Sequence, residues 1–271
     1  MPELPEVETT RRGLAPLVVK RRIVSVSVRQ PQLRWPVAKG LVECTGSKIE
    51  ALERRAKWLL WRFGNGTILW HLGMSGSFRG WQRPPAPGAH DHIDVVLEGG
   101  RTIRYTDPRR FGAVLWQPGL EPTVHPRLSG LGPEPLGPDF SGDALWRRSR
   151  GRKASVKQFI MDSANVVGVG NIYAAEALFA AGIHPRRAAG RVARKRYAVL
   201  AAAIRETLSR AIEVGGTSLR DFTVGDGTPG YFGQELRVYG KTGQPCPACG
   251  ETIKGAAIAQ RSTAWCPHCQ R

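Results

Sequence analysis

Four cysteines near the carboxyl end leave this chain little freedom in how it can fold there. Cys246-Pro-Ala-Cys249 and Cys266-Pro-His-Cys269 are two C-x2-C knuckles separated by sixteen residues. The short spacer lets both thiolates of a knuckle reach one metal. The long spacer has room for a β-hairpin, so the pattern predicts a zinc ribbon holding one structural Zn2+ through Cys246, Cys249, Cys266 and Cys269. Four protein ligands leave no open position for chemistry, so the ion would serve to hold residues 254–262 rigid. That stretch carries Lys254, Gln260 and Arg261, a polar and basic tip suited to phosphate. Disulfides or a redox dithiol are the competing readings, and no βαβ pattern near the knuckles favours them. His268 is expected beside the site or in solvent rather than as a ligand. The fifth cysteine, Cys44, reads as a small buried hydrophobe.

Charge narrows the choice of partner. Lys plus Arg total 40 against 22 Asp plus Glu, a net charge of +18. Such a surplus costs self-repulsion and draws polyanions. Nucleic acid is the partner that offsets it, because each neutralised phosphate releases condensed counterions. Arginine far outnumbers lysine; its fork suits phosphates and base edges, although a bias towards Arg codons leaves the same trace. The 271 residues are 41% apolar, enough for a core and for two domains, which excludes wholesale disorder. No apolar run approaches a membrane span, and the acidic opening Met1-Pro-Glu-Leu-Pro-Glu is unlike a signal peptide. A cytoplasmic protein is the expectation.

The first third predicts short strands. Ile23–Val28 alternates apolar and polar residues; residues 59–63 and 67–71 flank the turn Gly64-Asn-Gly66, and residues 93–97 and 102–105 flank Gly99-Gly100. Strands with tight turns predict an antiparallel sandwich or barrel. A helix over about residues 5–14 precedes them, since Pro5 suits a first turn. Residues 118–143, rich in Pro and Gly, read as an interdomain linker. Helices follow over residues 172–181 and 197–214, the latter with apolar residues at 200, 204, 208 and 212 on one face. The class is α+β and multidomain.

Two short segments could carry chemistry. Val167-Gly-Val-Gly-Asn171 stands directly before a helix, where free N–H groups can bind phosphate; a tight interhelical turn is the bland alternative. Tyr173 breaks any dinucleotide-binding fingerprint. Asn171 could cap the helix or bind phosphate. At the other end, removal of Met1 would leave Pro2 as a secondary amine. An α-amino group titrates near 7.7–8.0, so about a tenth of it is a free nucleophile at pH 7, against under a thousandth of a lysine. A secondary amine attacking a sugar carbon yields an iminium, whose fixed charge acidifies the neighbouring C–H and promotes elimination. Locally, Glu3, Glu6 and Glu8 are better explained as complements to a helix N-terminus, since acidic first turns are common.

Met1-Pro-Glu-Leu-Pro-Glu-Val-Glu-Thr9, His71-Leu-Gly-Met-Ser-Gly76, Tyr105-Thr-Asp-Pro-Arg-Arg-Phe-Gly112, Val167-Gly-Val-Gly-Asn-Ile-Tyr173 and the two knuckles together resemble the formamidopyrimidine-DNA glycosylase family. The motifs keep that family's order and span essentially the whole chain. Leu4 sets it apart from the related endonuclease VIII, which typically has Gly there. The resemblance implies an N-terminal β-sandwich (1–132), a helix–two-turn–helix domain (133–236) and a zinc finger (237–271). It implies excision of 8-oxoguanine and formamidopyrimidines from duplex DNA by a monomer, then strand cleavage by β,δ-elimination. Carried over residue by residue, it makes Pro2 the nucleophile, Glu3 the acid/base and Glu6 a supporting carboxylate. Lys57 becomes the proton donor in β-elimination or, more modestly, a phosphate clamp; Arg261 becomes the residue of δ-elimination. His71, His90, Arg109, Arg152, Lys157 and Asn171 become DNA contacts, with Arg152 standing where Lys is frequent. Met74, Arg109 and Phe111 become the side chains that fill the void left by a flipped base. Thr217–Tyr231 becomes the loop over that base.

Each of these has a plainer reading. Met74 and Phe111 could be core residues, and His71 and His90 structural histidines. An endonuclease VIII-like enzyme for oxidised pyrimidines, or a zinc-dependent DNA-binding protein without catalysis, would share the charge and the cysteines.

Overall fold

A computed structural model describes residues 2–215 and 235–271. The chain divides into two compact units, one running through Ser129 and the other taking in Gly130–Val214 and the C-terminal stretch. The expected loop at Thr217–Tyr231 lies outside the described residues.

The first unit opens with helix α1 (Leu4–Val18). Glu3 is its N-cap; the Glu3 N–H donates to Glu6 Oε2 at 2.8 Å, and Pro5 sits in the first turn, where its missing N–H costs nothing. The helix runs four residues beyond its expected end. Pro16 reads as a breaker in sequence, but burial of Leu14 and Val18 outweighs the lost hydrogen bond. Strand β1 (Ile23–Val28), a short helix α2 (Lys39–Glu43) and strands β2 (Ala51–Arg55), β3 (Trp58–Phe63), β4 (Gly66–His71), β5 (Ser77–Trp81), β6 (Asp91–Leu97), β7 (Thr102–Thr106) and β8 (Ala113–Pro118) follow. They form two antiparallel four-stranded sheets, ordered β1-β6-β7-β5 and β2-β3-β4-β8. Both expected hairpins are present, with Phe63 opposite Gly66 across the first turn and Gly99 and Gly100 both at positive φ in the second.

Strands β2, β5 and β8 had no clear sequence signal. All three are edge strands, and solvent-facing residues such as Glu53 and Arg79 dilute their apolar pattern. The sheets close on one aromatic core. The ring centroids of Trp70 and Phe78 lie 5.0 Å apart, those of Trp70 and Tyr105 5.3 Å and those of Trp61 and Phe78 6.0 Å, and Val7, Leu14 and Val18 of α1 join the same core. The stretch expected to be a featureless linker contains a 3-10 turn (Pro122–Val124) and helix α3 (Pro126–Ser129). Leu128 and Phe140 are almost fully buried, and they anchor it.

The second unit contains α4 (Gly142–Ser149), α5 (Val156–Met161), α6 (Asn171–Ala180) and α7 (Arg194–Glu213). Helix α4 starts at Ser141, whose Oγ accepts from the Ala144 N–H; α5 starts at the capping box Ser155/Gln158. Helix α6 is buried on nearly every side, as its apolar sequence requires, and α7 buries Leu200, Ile204, Leu208 and Ile212 as the periodicity predicts. Strands β9 (Lys254–Ile258) and β10 (Arg261–Trp265) form a hairpin whose core is shared with α6 through Ala175 and Phe179. Among the described residues no helix is long and apolar enough to cross a membrane.

Phe78 joins the two sheets, so Phe78→Ala should cost about 3–5 kcal/mol of stability. A urea titration followed by tryptophan fluorescence reads this as an earlier midpoint.

Candidate active site and nucleic-acid interface

In the first unit the chain passes between the sheets twice near one edge. Residues 72–76 join β4 to β5, and residues 107–112 join β7 to β8. Met74 lies half-buried in the first crossing, while Arg109 and Phe111 are exposed in the second. Phe111 is 44% exposed, and the Arg109 guanidinium stacks over its ring, 4.9 Å from the centroid. The plainer reading of Phe111 as a core residue therefore does not hold. The crossings touch so closely that Gly73 admits no side chain: a Cβ there would lie 2.4 Å from the Phe111 carbonyl carbon. Gly112 is equally confined, with a Cβ position 1.9 Å from the Tyr105 hydroxyl. Arg110, between Arg109 and Phe111, holds a left-handed φ of 55°, a strained conformation for a residue with a Cβ.

The same edge gathers cations. Lys57 occupies the β2–β3 turn, beside Ala56 with its positive φ, and His71 ends β4 opposite Trp58. Burial, and then the charges of Lys57 and Arg34, push the His71 imidazole down from 6.5 to about 4, so it is neutral at pH 7. Its Nδ1 accepts from the Gly73 N–H at 3.0 Å. The neutral ring then carries its proton on Nε2, which is free in chemical type to donate to an anion. His90 is exposed just before β6.

At the amino terminus Pro2 is buried, and Glu3 and Glu6 are 1% and 4% exposed. Glu8 plays a different part. Burial opposes its ionisation, but hydrogen bonds from Arg11 and Arg12 and the charges of Arg11 and Arg54 outweigh that and hold it down at about 2. Glu8 is thus a fixed anion that ties α1 to β2, as its Nε contact of 3.2 Å with Arg54 shows.

In the second unit Asn171 is the first residue of α6, and Val166 to Gly170 form a buried turn before it. Lys157 is 1% exposed. Its ammonium donates to Asn171 Oδ1 at 2.6 Å, Thr263 Oγ1 at 2.7 Å and the Ser262 carbonyl at 3.2 Å. Three protein oxygens thus accept the hydrogens of the lysine expected to contact DNA. Lys157 clamps the start of α6 to β10, and Asn171 Nδ2 adds a bond of 3.0 Å to the same carbonyl. The chain's basic pattern could not distinguish this buried lysine from a surface one. Arg152 and Arg261 are exposed.

The four knuckle thiolates lie within 4.8 Å of one another, with sulfur pairs at 3.5 and 3.9 Å. Tetrahedral Zn–S bonds of about 2.3 Å require sulfurs about 3.8 Å apart, so the set fits one structural Zn2+. His268 is exposed and outside the group. Above the site, Ala259 and Gln260 both have positive φ and turn the β9–β10 hairpin immediately before Arg261. Cys44 is core, and burial, then Glu43, push its thiol up to about 11, so it stays protonated and inert. Three residues went unread in the sequence. Glu176 on α6 is buried and accepts the N–H groups of Arg237, Val238 and Tyr239 at 2.8–3.0 Å. Asp107 and Ser75 join the two crossings. An isolated carboxylate or hydroxyl carries no periodic signal, and Asp-Pro reads only as a turn.

The formamidopyrimidine-DNA glycosylase N-terminal domain model matches residues 1–114, the H2TH domain model of the same enzymes residues 131–223, and a zinc finger found in FPG and IleRS residues 243–271. In this order they define the class, a DNA glycosylase with a helix–two-turn–helix region and a structural zinc finger. Among curated proteins, the formamidopyrimidine-DNA glycosylases of Alkalilimnicola ehrlichii and Syntrophotalea carbinolica are 60% and 58% identical over the full length of both chains. Among solved structures, the MutM (Fpg) protein of Thermus thermophilus is 39% identical with a TM-score of 0.89, covering 99% of this chain and 98% of that one. A Lactococcus lactis Fpg variant in complex with Fapy-dG-containing DNA is 33% identical with a TM-score of 0.91 over 100% of both. The chain belongs to the formamidopyrimidine-DNA glycosylase family.

Two outcomes follow from the geometry. NMR of the His71 ring should show no titration between pH 8 and 5 and a transition near 4. The unfolded chain takes up that proton near 6.5, so stability falls as pH drops through this window. Lys57→Ala should raise the transition but leave it below 6.5, because burial is the larger cause. Cys249→Ser should release Zn2+ by elemental analysis and loosen the hairpin, while far-UV signals of the sandwich persist.

Proposed function

We propose that this chain is a bifunctional DNA glycosylase and abasic-site lyase that excises 8-oxoguanine and formamidopyrimidines from duplex DNA. It works as a monomer, in the cytoplasm at the nucleoid, with residues 1–132 as the catalytic domain, 133–236 as the helix–two-turn–helix domain and 237–271 as the zinc finger. The observation that carries this reading is the likeness, along the full length of both chains, to a Lactococcus lactis protein captured on Fapy-dG-containing DNA. The net charge of +18 suits that partner.

The chemistry starts at Pro2. With Met1 removed, its ring nitrogen attacks C1′, the bond from C1′ to the damaged base breaks, and Glu3 delivers the proton the departing base needs. Opening of the sugar ring leaves an iminium between Pro2 and C1′. A C2′ proton is then lost and the 3′-phosphate leaves; a second elimination expels the 5′-phosphate, and water releases the sugar fragment from Pro2. Glu6, bonded to the Glu3 amide, sets the carboxylate of Glu3 in register. Lys57 and Arg261 neutralise phosphates and serve the two eliminations. His71, His90, Arg109, Arg152 and Asn171 hold the DNA backbone, His71 as a neutral donor. Lys157 supports Asn171 rather than touching DNA. Met74, Arg109 and Phe111 enter the void left by the flipped base, with Arg109 placed to bond the orphaned cytosine.

Borohydride with duplex DNA containing 8-oxoguanine should reduce the iminium and yield a covalent adduct. Pro2→Gly should diminish it at least about tenfold, one decade corresponding to about 1.4 kcal/mol in the barrier. An undiminished adduct would exclude Pro2 as nucleophile. Mass spectrometry of the trapped protein should find Met1 absent. Faster excision of thymine glycol than of 8-oxoguanine opposite C would favour the endonuclease VIII-like alternative.

A further inference from the structure

Asp107 is fully buried between the two crossings, and every polar group it owns is engaged. Its N–H donates to the His90 carbonyl at 3.0 Å, and its own carbonyl accepts from the Arg110 N–H at 3.1 Å and lies 2.8 Å from His92 Nε2. Oδ1 accepts the Ser75 hydroxyl at 2.6 Å; Oδ2 accepts the Gly112 N–H at 2.8 Å and the Tyr105 hydroxyl at 3.3 Å. Ser75 Oγ in turn accepts the Arg109 N–H at 3.1 Å. One residue therefore grips the backbone behind His90, the turn that carries Met74, and the turn that carries Arg109 and Phe111.

The donors to its carboxyl oxygens are a hydroxyl of Ser75, a hydroxyl of Tyr105 and the N–H of Gly112, and a carboxyl this deeply buried needs such partners. Its two oxygens hold two loops at once, the Met74 turn through Ser75 and the Phe111 turn through Gly112. The loops need such a hold. Phe111 stands 44% exposed and Arg110 is strained, so core packing does not fix this tip. A wedge that swings aside cannot compensate an unstacked base, which costs a few kcal/mol.

We propose that Asp107, acting through Ser75, is the positioning residue that sets Met74, Arg109 and Phe111 as one rigid insertion unit. The inference rests on the reading of those three as the void-filling side chains. Ser75→Ala removes the bridge to Arg109 while leaving the buried carboxylate bonded to Gly112 and Tyr105. Two ratios test it, alongside a melting curve: excision of 8-oxoguanine opposite C against opposite A, and cleavage at an abasic site in duplex against single-stranded DNA. Ser75→Ala should lower the duplex rate about tenfold, the worth of one buried hydrogen bond. Both ratios should fall with it. Ser75→Thr, which keeps the hydroxyl, should restore them, and Asp107→Asn should repeat the loss. Unchanged ratios, or equal losses on duplex and single strand, would overturn the positioning role and leave a merely structural one. Arg109→Ala and Phe111→Ala separate the layers. If neither moves the ratios, the insertion reading itself fails; if both move them and Ser75→Ala does not, only the role of Asp107 fails.

Discussion

Two sheets that share a core need a connection that leaves one and enters the other, and here the chain makes that passage twice at neighbouring points. The aromatic packing of Trp61, Trp70, Phe78 and Tyr105 fixes the spacing of the sheets, and this fixes the length of both crossings. Because the crossings must also lie against each other, no residue larger than glycine fits at Gly73 or Gly112. The same restriction pushes the residues between them outward. Arg109 and Phe111 stand exposed at that tip, and Lys57 and Arg34 lie close enough to His71 to lower its pKa.

The second unit solves a similar problem with different means. A hairpin of ten paired residues is too small to hold its own shape, so it is fastened at its base by metal-ready thiolates and along its side by α6. Lys157 is the third fastening. A buried ammonium is tolerated because three oxygens receive its hydrogens, and the Asn171 side chain is orientated as a result. Arg152 and Arg261, by contrast, are exposed.

Much of this was legible in the residues. The alternation in β1, the glycine turns of both hairpins, the apolar face of α7 and the cysteine spacing each have one strong local cause, and each is present where expected. Strands β2, β5 and β8 were not legible, because exposed charged residues such as Glu53 and Arg79 break their apolar pattern, whereas β1, equally an edge, keeps a clean alternation. The last turn of α1, residues 15–18, was not legible either, because burial of Val18 carries the helix past its expected end and no local pattern reveals that. The motif positions of the candidate site could be named from their resemblance alone, but the distinction between reaching outward and bracing inward could not. Lys157 and Asp107 look like surface residues until their contacts are known.

The turn at Ala259 and Gln260 carries a consequence for how Arg261 is presented. Two consecutive non-glycine residues in the left-handed region store on the order of 1–2 kcal/mol each, and they do so directly ahead of Arg261. That turn is held over strands paired from Arg261–Ile258 to Trp265–Lys254, which pack against α6 and are tied to Lys157. The backbone cost of the tip is thus carried by the pairing and packing of the whole hairpin, so Arg261 is presented by a stretched spring whose anchor lies several residues below it.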